Sequence, residues 1–455
     1  MANTYLQRST TTRTNNQAYT FSCWFKRGDL VGGRFCINYL DGNNRGYISI
    51  QNDNKIFCYD KVGGTEIDSR TSEFTLTDTN GWYHYVQSVN NLAGGSGGSL
   101  SDRFKTYLNG VDVSGNWTMG TSMAYNRNLG FQAVSGTNGF KIGSQESGSS
   151  DNWNGSMSHV HFVDGLQLPA STFGETDATT GEWKIKTSPT ISEYGNNGFF
   201  VLKDGNSVTD QSGKGNNFTV AGGTLTKTED NPSNVFATWN VLYKNNSTFS
   251  NGNTTSASGS SGEFNSASTL GMSAGKYYME FKRVSGNYPI FGIVDDIALA
   301  EYSNANMGLG KTGTTKSIAL RLNDGKTRVN NVVTTQGGSI SNGDIVGVAV
   351  DKTTSKIYFS KNGQWSNGSG AWDSTTFNAS TGATDVSSIL TGDTWFFACG
   401  TDTGEASNTF SANFGNGYFG TTAVSSAGTN ASGIGIFEYD VPTGFTALST
   451  KGLNL

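Results

Sequence analysis

The chain has 455 residues, of which 35% are hydrophobic and 15% charged, and its formal net charge of −5 is spread thinly along the sequence. This length exceeds one ordinary core, so two to three domains are expected, and 27 Phe residues argue against a disordered chain. Because the sequence has neither a basic stripe nor an apolar run of about 20 residues, we expect no nucleic-acid binding and no membrane insertion.

Short runs of alternating or aromatic-rich residues lie between turn signals along the whole sequence. Ten Asn-Gly dipeptides supply the positive backbone angles that tight hairpin turns need. Long helical periodicity and heptad repeats are missing from the sequence. The pattern predicts an all-β protein built from antiparallel β-sandwiches.

The first predicted domain, residues 1–174, contains a series of strand-like segments. In order they are YTFSCWFKR (Tyr19–Arg27), GWYHYVQSVN (Gly81–Asn90), FKTYLNGVDVSG (Phe104–Gly115), FKIGS (Phe140–Ser144) and a closing segment, Asn152–Glu175. Their order and spacing resemble the laminin-G/concanavalin A-like jelly-roll family, whose "WHHV" strand corresponds here to Trp82-Tyr83-His84-Tyr85. The resemblance implies a two-sheet jelly roll.

Residues 175–247 are predicted to form a small β-structured connector. They contain GFFVLKDGNSVTDQSGKGNNFTV (Gly198–Val220), which is a further strand, turn and strand, and then DNPSNVFATWNVL (Asp230–Leu242). These segments are too apolar for a free linker. We therefore expect the connector to pack against one or both neighbouring domains.

The second large predicted domain, residues 248–455, contains the clearest motif of the chain, GDIVGVAVDKTTSKIYFSKNGQW (Gly343–Trp365). Valines alternate with Gly347 and Ala349 in its first strand, and Asn362-Gly363 supplies a hairpin turn after its second strand. Four further segments surround the motif: KYYMEFK (Lys276–Lys282), PIFGIVDD (Pro289–Asp296), WFFACGTD (Trp395–Asp402) and FSANFGN (Phe410–Asn416). Their order resembles a SPRY domain, which implies a second β-sandwich.

The whole arrangement, including the ending FEYDVPTGFTALSTKGL (Phe437–Leu453), is similar to virion-associated proteins of tailed phages, especially marine ones. The resemblance implies a fibre or appendage component on the virion surface, assembled in the host cytoplasm. Its implied partners are other virion structural proteins and a host cell-surface glycan or protein. The sequence leaves open whether the protein forms a homo-oligomer, such as a trimer. The sequence lacks a coiled-coil shaft and the usual N-terminal anchor, and its first residues lack the apolar core of a secretory signal.

Ligand binding is predicted at loops that carry aromatic and polar side chains. Aromatic rings in loops can stack on sugars while neighbouring amides and carboxylates satisfy hydroxyl groups. The candidate residues are Trp365, Trp372, Asn367 and Asp373 in one loop of the second domain, and Trp117 and Trp153 in the first. Packing beneath a loop is the alternative for each Trp.

Catalysis is not expected. Glycoside hydrolysis needs two carboxylates beside the scissile bond, and the sequence has no run such as Glu-x-Asp-x-x-Glu that one strand would present. The adjacent Asp295 and Asp296 are predicted to lie in a turn. His84 is expected to pack within its aromatic strand, whereas His159 and His161 share a strand face without an evident third metal ligand.

We expect no cofactor, with calcium as an open alternative. The turns Asp41-Gly42-Asn43-Asn44 and Asp210-Gln211-Ser212-Gly213 carry oxygen ligands, but the same residues are ordinary turn formers. The four cysteines are Cys23, Cys36, Cys58 and Cys399. They are predicted to be free thiols, and an oxidised pair stays open.

Two functional classes compete with host recognition. One is a capsid or tail decoration protein that mainly contacts other virion proteins, and the other is a glycan-cleaving enzyme on a jelly-roll scaffold.

Overall fold

The computed structural model describes most of the chain and divides it into two compact units, Met1–Lys227 and Thr228–Leu455. The described residues are 4–132, 136–145, 151–203, 205, 207–245, 247–258, 265–286, 288–299, 308–311, 316–401 and 408–455. Antiparallel sheets dominate both units, and the predicted all-β class is confirmed.

Unit 1 is built on an eight-stranded and a six-stranded sheet. Its strands are β1 (Tyr5–Thr10), β2 (Ala18–Arg27), β3 (Gly33–Asp41), β4 (Asn44–Ile50), β5 (Ile56–Val62), β6 (Thr65–Ser72), β7 (Tyr83–Asn90), β8 (Phe104–Leu108), β9 (Val111–Asp112), β10 (Trp117–Thr121), β11 (Gly136–Ile142), β12 (Gly155–Asp164), β13 (Gly174–Thr176), β14 (Trp183–Ile185), β15 (Phe199–Val201) and β16 (Thr219–Ala221), and its α-helix is α1 (Leu100–Arg103). The first sheet has the order β10-β6-β5-β4-β3-β11-β1-β16 and the second β15-β12-β2-β7-β8-β9.

The main core of unit 1 lies between these two sheets. Alternation along β2 sends Phe21 and Phe25 inward to meet residues such as Ile48 on the facing sheet. A second core covers the outer face of the six-stranded sheet, where Phe173 and Tyr194 pack on it. That face is therefore capped by the segment that follows β12.

Unit 2 is also built on two large sheets. Its strands are β17 (Trp239–Asn245), β18 (Ser247–Ser250), β19 (Thr255–Ser258), β20 (Asn265–Ser268), β21 (Lys276–Ser285), β22 (Pro289–Asp295), β23 (Ser317–Arg321), β24 (Lys326–Val329), β25 (Val332–Thr335), β26 (Ile345–Asp351), β27 (Lys356–Lys361), β28 (Gln364–Ser366), β29 (Trp372–Ser374), β30 (Thr384–Asp385), β31 (Trp395–Thr401), β32 (Thr409–Asn413), β33 (Tyr418–Phe419), β34 (Thr422–Ala423) and β35 (Thr446–Ala447), and its α-helix is α2 (Asp296–Leu299). The seven-stranded sheet has the order β17-β20-β31-β22-β23-β24-β25, and the ten-stranded sheet runs β18-β19-β32-β21-β26-β27-β28-β29, with β30 and β35 off this path.

The hairpin motif forms the centre of the ten-stranded sheet. β26 pairs with β27, and the valines of β26 face the core between the two sheets. Ala349 faces the opposite side, where Phe437 and Phe445 of the C-terminal segment cover the sheet. Asn362 and Gly363 have φ values of 49° and 77°, as the predicted hairpin turn requires.

The predicted connector, residues 175–247, is divided between the units at Lys227. Phe199 and Phe218 are buried in the main core of unit 1, and β15 and β16 add one strand to each of its sheets. Residues from Thr228 onward belong to unit 2, where Trp239 lies in the core.

Candidate functional site

The loop predicted to bind a ligand is the tip of a hairpin at the edge of the ten-stranded sheet. Its strands β28 and β29 pair so that Trp365 lies opposite Ser374. Trp365 is 6% exposed, and its ring contacts Phe377 edge-on with 5.0 Å between centroids. Because the C-terminal segment covers this face of the sheet, Trp365 packs in a core and cannot serve as the predicted stacking platform.

Trp372 keeps a half-buried position in the same hairpin. Its Nε1 donates a hydrogen bond to the carbonyl oxygen of Gly338 at 2.7 Å. A Cβ added to Gly337 would come within 2.3 Å of the indole, so the ring lies directly on the backbone there. Part of the predicted platform is thus already engaged within the protein.

Asn367 and Asp373 shape the tip of the hairpin. The Nδ2 group of Asn367 donates to the Asp373 carboxylate at 2.8 Å, and its Oδ1 accepts the backbone N–H groups of Ser369 and Ala371. The structure therefore brings Asn367, Trp372 and Asp373 together, but the hydrogen bonds of Asn367 stabilise the turn itself.

The two candidate Trp residues of unit 1 are packing residues. Trp117 is 8% exposed, and its Nε1 donates to Thr106 Oγ1 at 2.9 Å. Trp153 is half-buried against Phe25 and Phe35, with ring centroids 5.6 and 4.7 Å away. Both indoles pack in or against the main core. The ring of Trp117 is therefore buried and cannot stack on a sugar as predicted.

The histidines lie in the six-stranded sheet beneath its cap. Trp183 Nε1 donates to His84 Nδ1 at 3.0 Å, and His84 Nε2 lies 2.9 Å from Ser22 Oγ. Because an indole N–H can only donate, His84 must carry its proton on Nε2 and cannot accept the proton of Ser22 there. Tyr194 similarly occupies Nδ1 of His161 at 3.0 Å. This geometry does not activate a nucleophile.

Three buried carboxylates, those of Asp60, Asp68 and Asp295, also have structural surroundings within the fold. Asp60 and Asp68 are cross-strand neighbours within unit 1, and burial raises the pKa of both. The cavity beside them measures about 10 Å³, which is room for one water molecule. Asp295, at the end of β22, accepts the backbone N–H groups of Ala298 and Gly392. These acids are not placed to attack a polysaccharide.

The two turns considered for calcium are closed by protein donors. Asp41 Oδ1 accepts the backbone N–H groups of Asn43 and Asn44, as an ordinary Asx turn does. Both carboxylate oxygens of Asp210 accept bonds, Oδ1 from Ser212 N–H and Oδ2 from Asn216 N–H. Within the described residues, no cluster of three or more metal-ligating side chains occurs.

Three cysteines are free thiols inside cores. Cys23 and Cys58 lie in the main core of unit 1, and Cys399 lies in that of unit 2. Burial raises the pKa of the Cys58 thiol to about 12, so it stays protonated and unreactive. The side chain of Cys36 lies outside the described part of the chain.

A group of half-buried aromatic side chains lies on the outer face of the eight-stranded sheet. We name this group, Tyr39, Tyr47, Phe57 and Tyr59, the tyrosine patch. It projects away from the core because the alternate residues of β4 and β5, such as Ile48 and Cys58, point inward. The outer face of a sandwich sheet normally carries polar side chains, so the aromatic group there is a candidate recognition surface.

Cross-strand pairing assembles the patch. Tyr47 lies directly opposite Tyr59, and their rings stack with 5.1 Å between centroids. Phe57 is 5.9 Å from Tyr47, and the guanidinium of Arg45 lies 5.7 Å from the Tyr59 ring centroid. One face of each stacked ring is engaged, and the ring edges, the phenol groups and the Phe57 ring together form a mixed apolar and hydroxylic surface.

The sequence analysis missed the tyrosine patch. The signal was present as aromatic residues two positions apart in β5, Phe57 and Tyr59, beside Tyr47 in the preceding strand. Local alternation shows that Phe57 and Tyr59 share a face. The β4–β5 register is needed to place Tyr47 against them.

Comparison with known proteins defines the class of unit 1. Residues 1–171 match the family described as the concanavalin A-like lectin/glucanases superfamily. Together with the two packed sheets, this match makes unit 1 a β-sandwich of the lectin/glucanase-like fold. A comparison with curated proteins finds no match. No helix in the described residues is long and apolar enough to cross a membrane.

Solved structures with similar folds include two SPRY domains and a pentraxin. The SPRY domain of human HERC1 is 14% identical and covers 38% of this chain and 96% of its own, with a TM-score of 0.28. The TRIM65 PSpry domain is 10% identical over 39% and 91%, with a TM-score of 0.28. A SAP-like pentraxin from Limulus polyphemus is 15% identical over 36% and 71%, with a TM-score of 0.26. These scores are too low to support a functional assignment.

Proposed function

We propose that this protein is a non-enzymatic surface component of a phage virion, of fibre or appendage type, that binds a glycan on the host surface. The tyrosine patch carries the proposal. Phenol rings present apolar edges beside hydroxyl groups, the combination that complements the alternating C–H and O–H surface of a sugar. The virion setting is supported by the similarity of the whole domain arrangement to tailed-phage proteins.

The non-enzymatic part of the proposal is supported by how the acids and histidines are used. His84 carries its proton on the nitrogen that faces Ser22, and Asp60 and Asp68 lie inside the main core. General acid–base chemistry on a polysaccharide needs such groups at an accessible surface.

The first test is retention of the purified protein on polysaccharide extracted from the host envelope. Replacing both stacked rings, in a Tyr47→Ala and Tyr59→Ala double variant, should abolish retention. Tyr125→Ala is the matched control, because this Tyr is 37% exposed and its neighbour Asn126 contacts Gln17, outside the patch. Equal thermal unfolding temperatures of the variants would show that the fold is retained.

The alternatives predict different results. If the wild-type protein ignores host polysaccharide but docks onto particles that lack it, the decoration function is correct instead. Release of reducing sugar from the polysaccharide would establish a glycan-cleaving enzyme.

A further inference from the structure

Two rows of side chains cross the outer face of the eight-stranded sheet at right angles to its strands. The pairing register defines one row as Tyr47, Tyr59 and Ser69, and the other as Ser49, Phe57, Thr71 and Thr118. The rows pass over β4, β5, β6 and β10, which are consecutive neighbours up to the sheet edge. At a strand spacing of about 4.8 Å, four strands span about 14 Å.

The chemistry of these rows changes from aromatic to polar. β4 and β5 carry Tyr47, Phe57 and Tyr59 of the tyrosine patch, whereas β6 and β10 carry Glu66, Thr71 and Thr118, which we name the polar strip. Thr118 is exposed and Thr71 is half-buried. Glu66 accepts hydrogen bonds from Ser69 and Thr121, which lower its pKa and keep it ionised as an acceptor. Hydroxyl-rich ligands match such a strip.

Two cations and one anion lie in one cross-strand row on this face, with Arg45 directly opposite Lys61. Lys61 lies directly opposite Glu66 in the pairing of β5 with β6, and Arg45 lies over the Tyr59 ring. A ligand with a carboxylate or phosphate on every sugar would need a row of cations, which these residues do not form. The face therefore complements an uncharged glycan.

We propose that the tyrosine patch and the polar strip together bind an internal segment of an extended, uncharged polysaccharide, whose chain crosses the strands from β4 to β10. This inference rests on the proposed glycan-binding function and adds the ligand's shape and charge. One pyranose is about as long as one strand spacing, so a glycan with one sugar over each of the four strands places about four sugars in the site. Because β10 is the sheet edge, the glycan can continue beyond the site.

The test uses fragments of the polysaccharide that retains the protein, prepared by partial acid hydrolysis and fractionated from one to eight sugars. Affinity of the full-length protein for each fraction is measured by isothermal titration calorimetry. The wild type should gain about tenfold in affinity between two and four sugars, because two further hydroxyl contacts become available. Longer fragments should add little.

Variants separate the two halves of the site. Thr71→Val with Thr118→Val keeps the side-chain shape and removes the hydroxyls, so it should suppress the gain between two and four sugars. Phe57→Ala should weaken every fraction, whereas Thr75→Val, an exposed control outside the rows, should change none.

Three results would overturn the inference. They are equal affinity for one sugar and four sugars, a length gain that survives Thr71→Val with Thr118→Val, and binding confined to acidic glycans and lost at high salt. In each of these cases the glycan-binding function itself would stand. Failure of the intact polysaccharide to bind would instead refute the proposed function.

Discussion

The carboxylate of Glu280 accepts the backbone N–H of Tyr439 at 2.8 Å, which ties the C-terminal segment to β21. Its second oxygen accepts Glu438 N–H at 2.8 Å, and the Tyr278 hydroxyl donates to the first. Glu280 is fully buried, so its carboxylate makes these protein hydrogen bonds without any contact with water. One carboxylate therefore holds two consecutive backbone N–H groups of the segment that covers the ten-stranded sheet.

We expect Glu280→Gln to destabilise unit 2 by about 2 kcal/mol, because the new NH₂ group would face N–H donors that need an acceptor. Denaturant unfolding followed by Trp fluorescence measures the loss. Glu229→Gln, at an exposed position, is the matched control and should be neutral. Equal unfolding free energies for the two variants would show that the Glu280 bonds are dispensable.

His84 of unit 1 and Glu280 of unit 2 should respond to pH in opposite directions. Burial, with a smaller contribution from His159, lowers the pKa of His84 from 6.5 to about 3, so this group's stabilisation of unit 1 is complete above pH 6.5. Below pH 6.5 the unfolded chain takes up the proton first, and stability is lost until about pH 3. This difference between the unfolded and folded pKa of His84 corresponds to a loss of unfolding free energy on the order of 5 kcal/mol.

The contribution of Glu280 to stability changes with pH in the opposite direction. Burial raises its pKa from 4.5 to about 7, so its contribution to unit 2 is present below pH 4.5 and is lost as the pH rises through 7. Hydrogen–deuterium exchange, corrected for intrinsic rates and resolved by peptide, should show β7, which carries His84, losing protection between pH 6.5 and 4.5 while β21 becomes better protected. Unchanged protection of both strands across this range would contradict the assignment.

A truncated protein can test where unit 1 ends. A chain of residues 1–174 lacks Phe199, Val201 and Phe218, which are at most 3% exposed, and it also lacks β15 and β16. We expect this fragment to lose cooperative thermal unfolding, whereas residues 1–227 should unfold in one transition. The measurement is circular dichroism on heating, and a cooperative transition in the 1–174 fragment would show that the later strands are accessory.

Local patterns account for what the sequence predicted well. The hairpin of β26 and β27 follows from alternating valines and an Asn-Gly turn, both of which are short-range signals. The burial of Trp365 depends on Phe437 and Phe445, far along the chain, and the tyrosine patch depends on the pairing of Tyr47 with Tyr59. Such long-range contacts leave no periodic trace in one sequence, so the predicted site fell on a loop and the patch was missed.

Replacing each of the two Trp residues of the β28–β29 hairpin should lower the free energy of unfolding by a different amount. Trp365→Ala removes a core side chain and should cost about 3–5 kcal/mol. Trp372→Ala removes a half-buried ring and one hydrogen bond, to Gly338, and should cost about 1 kcal/mol. Guanidinium unfolding measures both, and glycan retention under conditions where both variants are folded should be unchanged. Loss of retention in folded Trp372→Ala alone would return the binding site to this hairpin and away from the tyrosine patch.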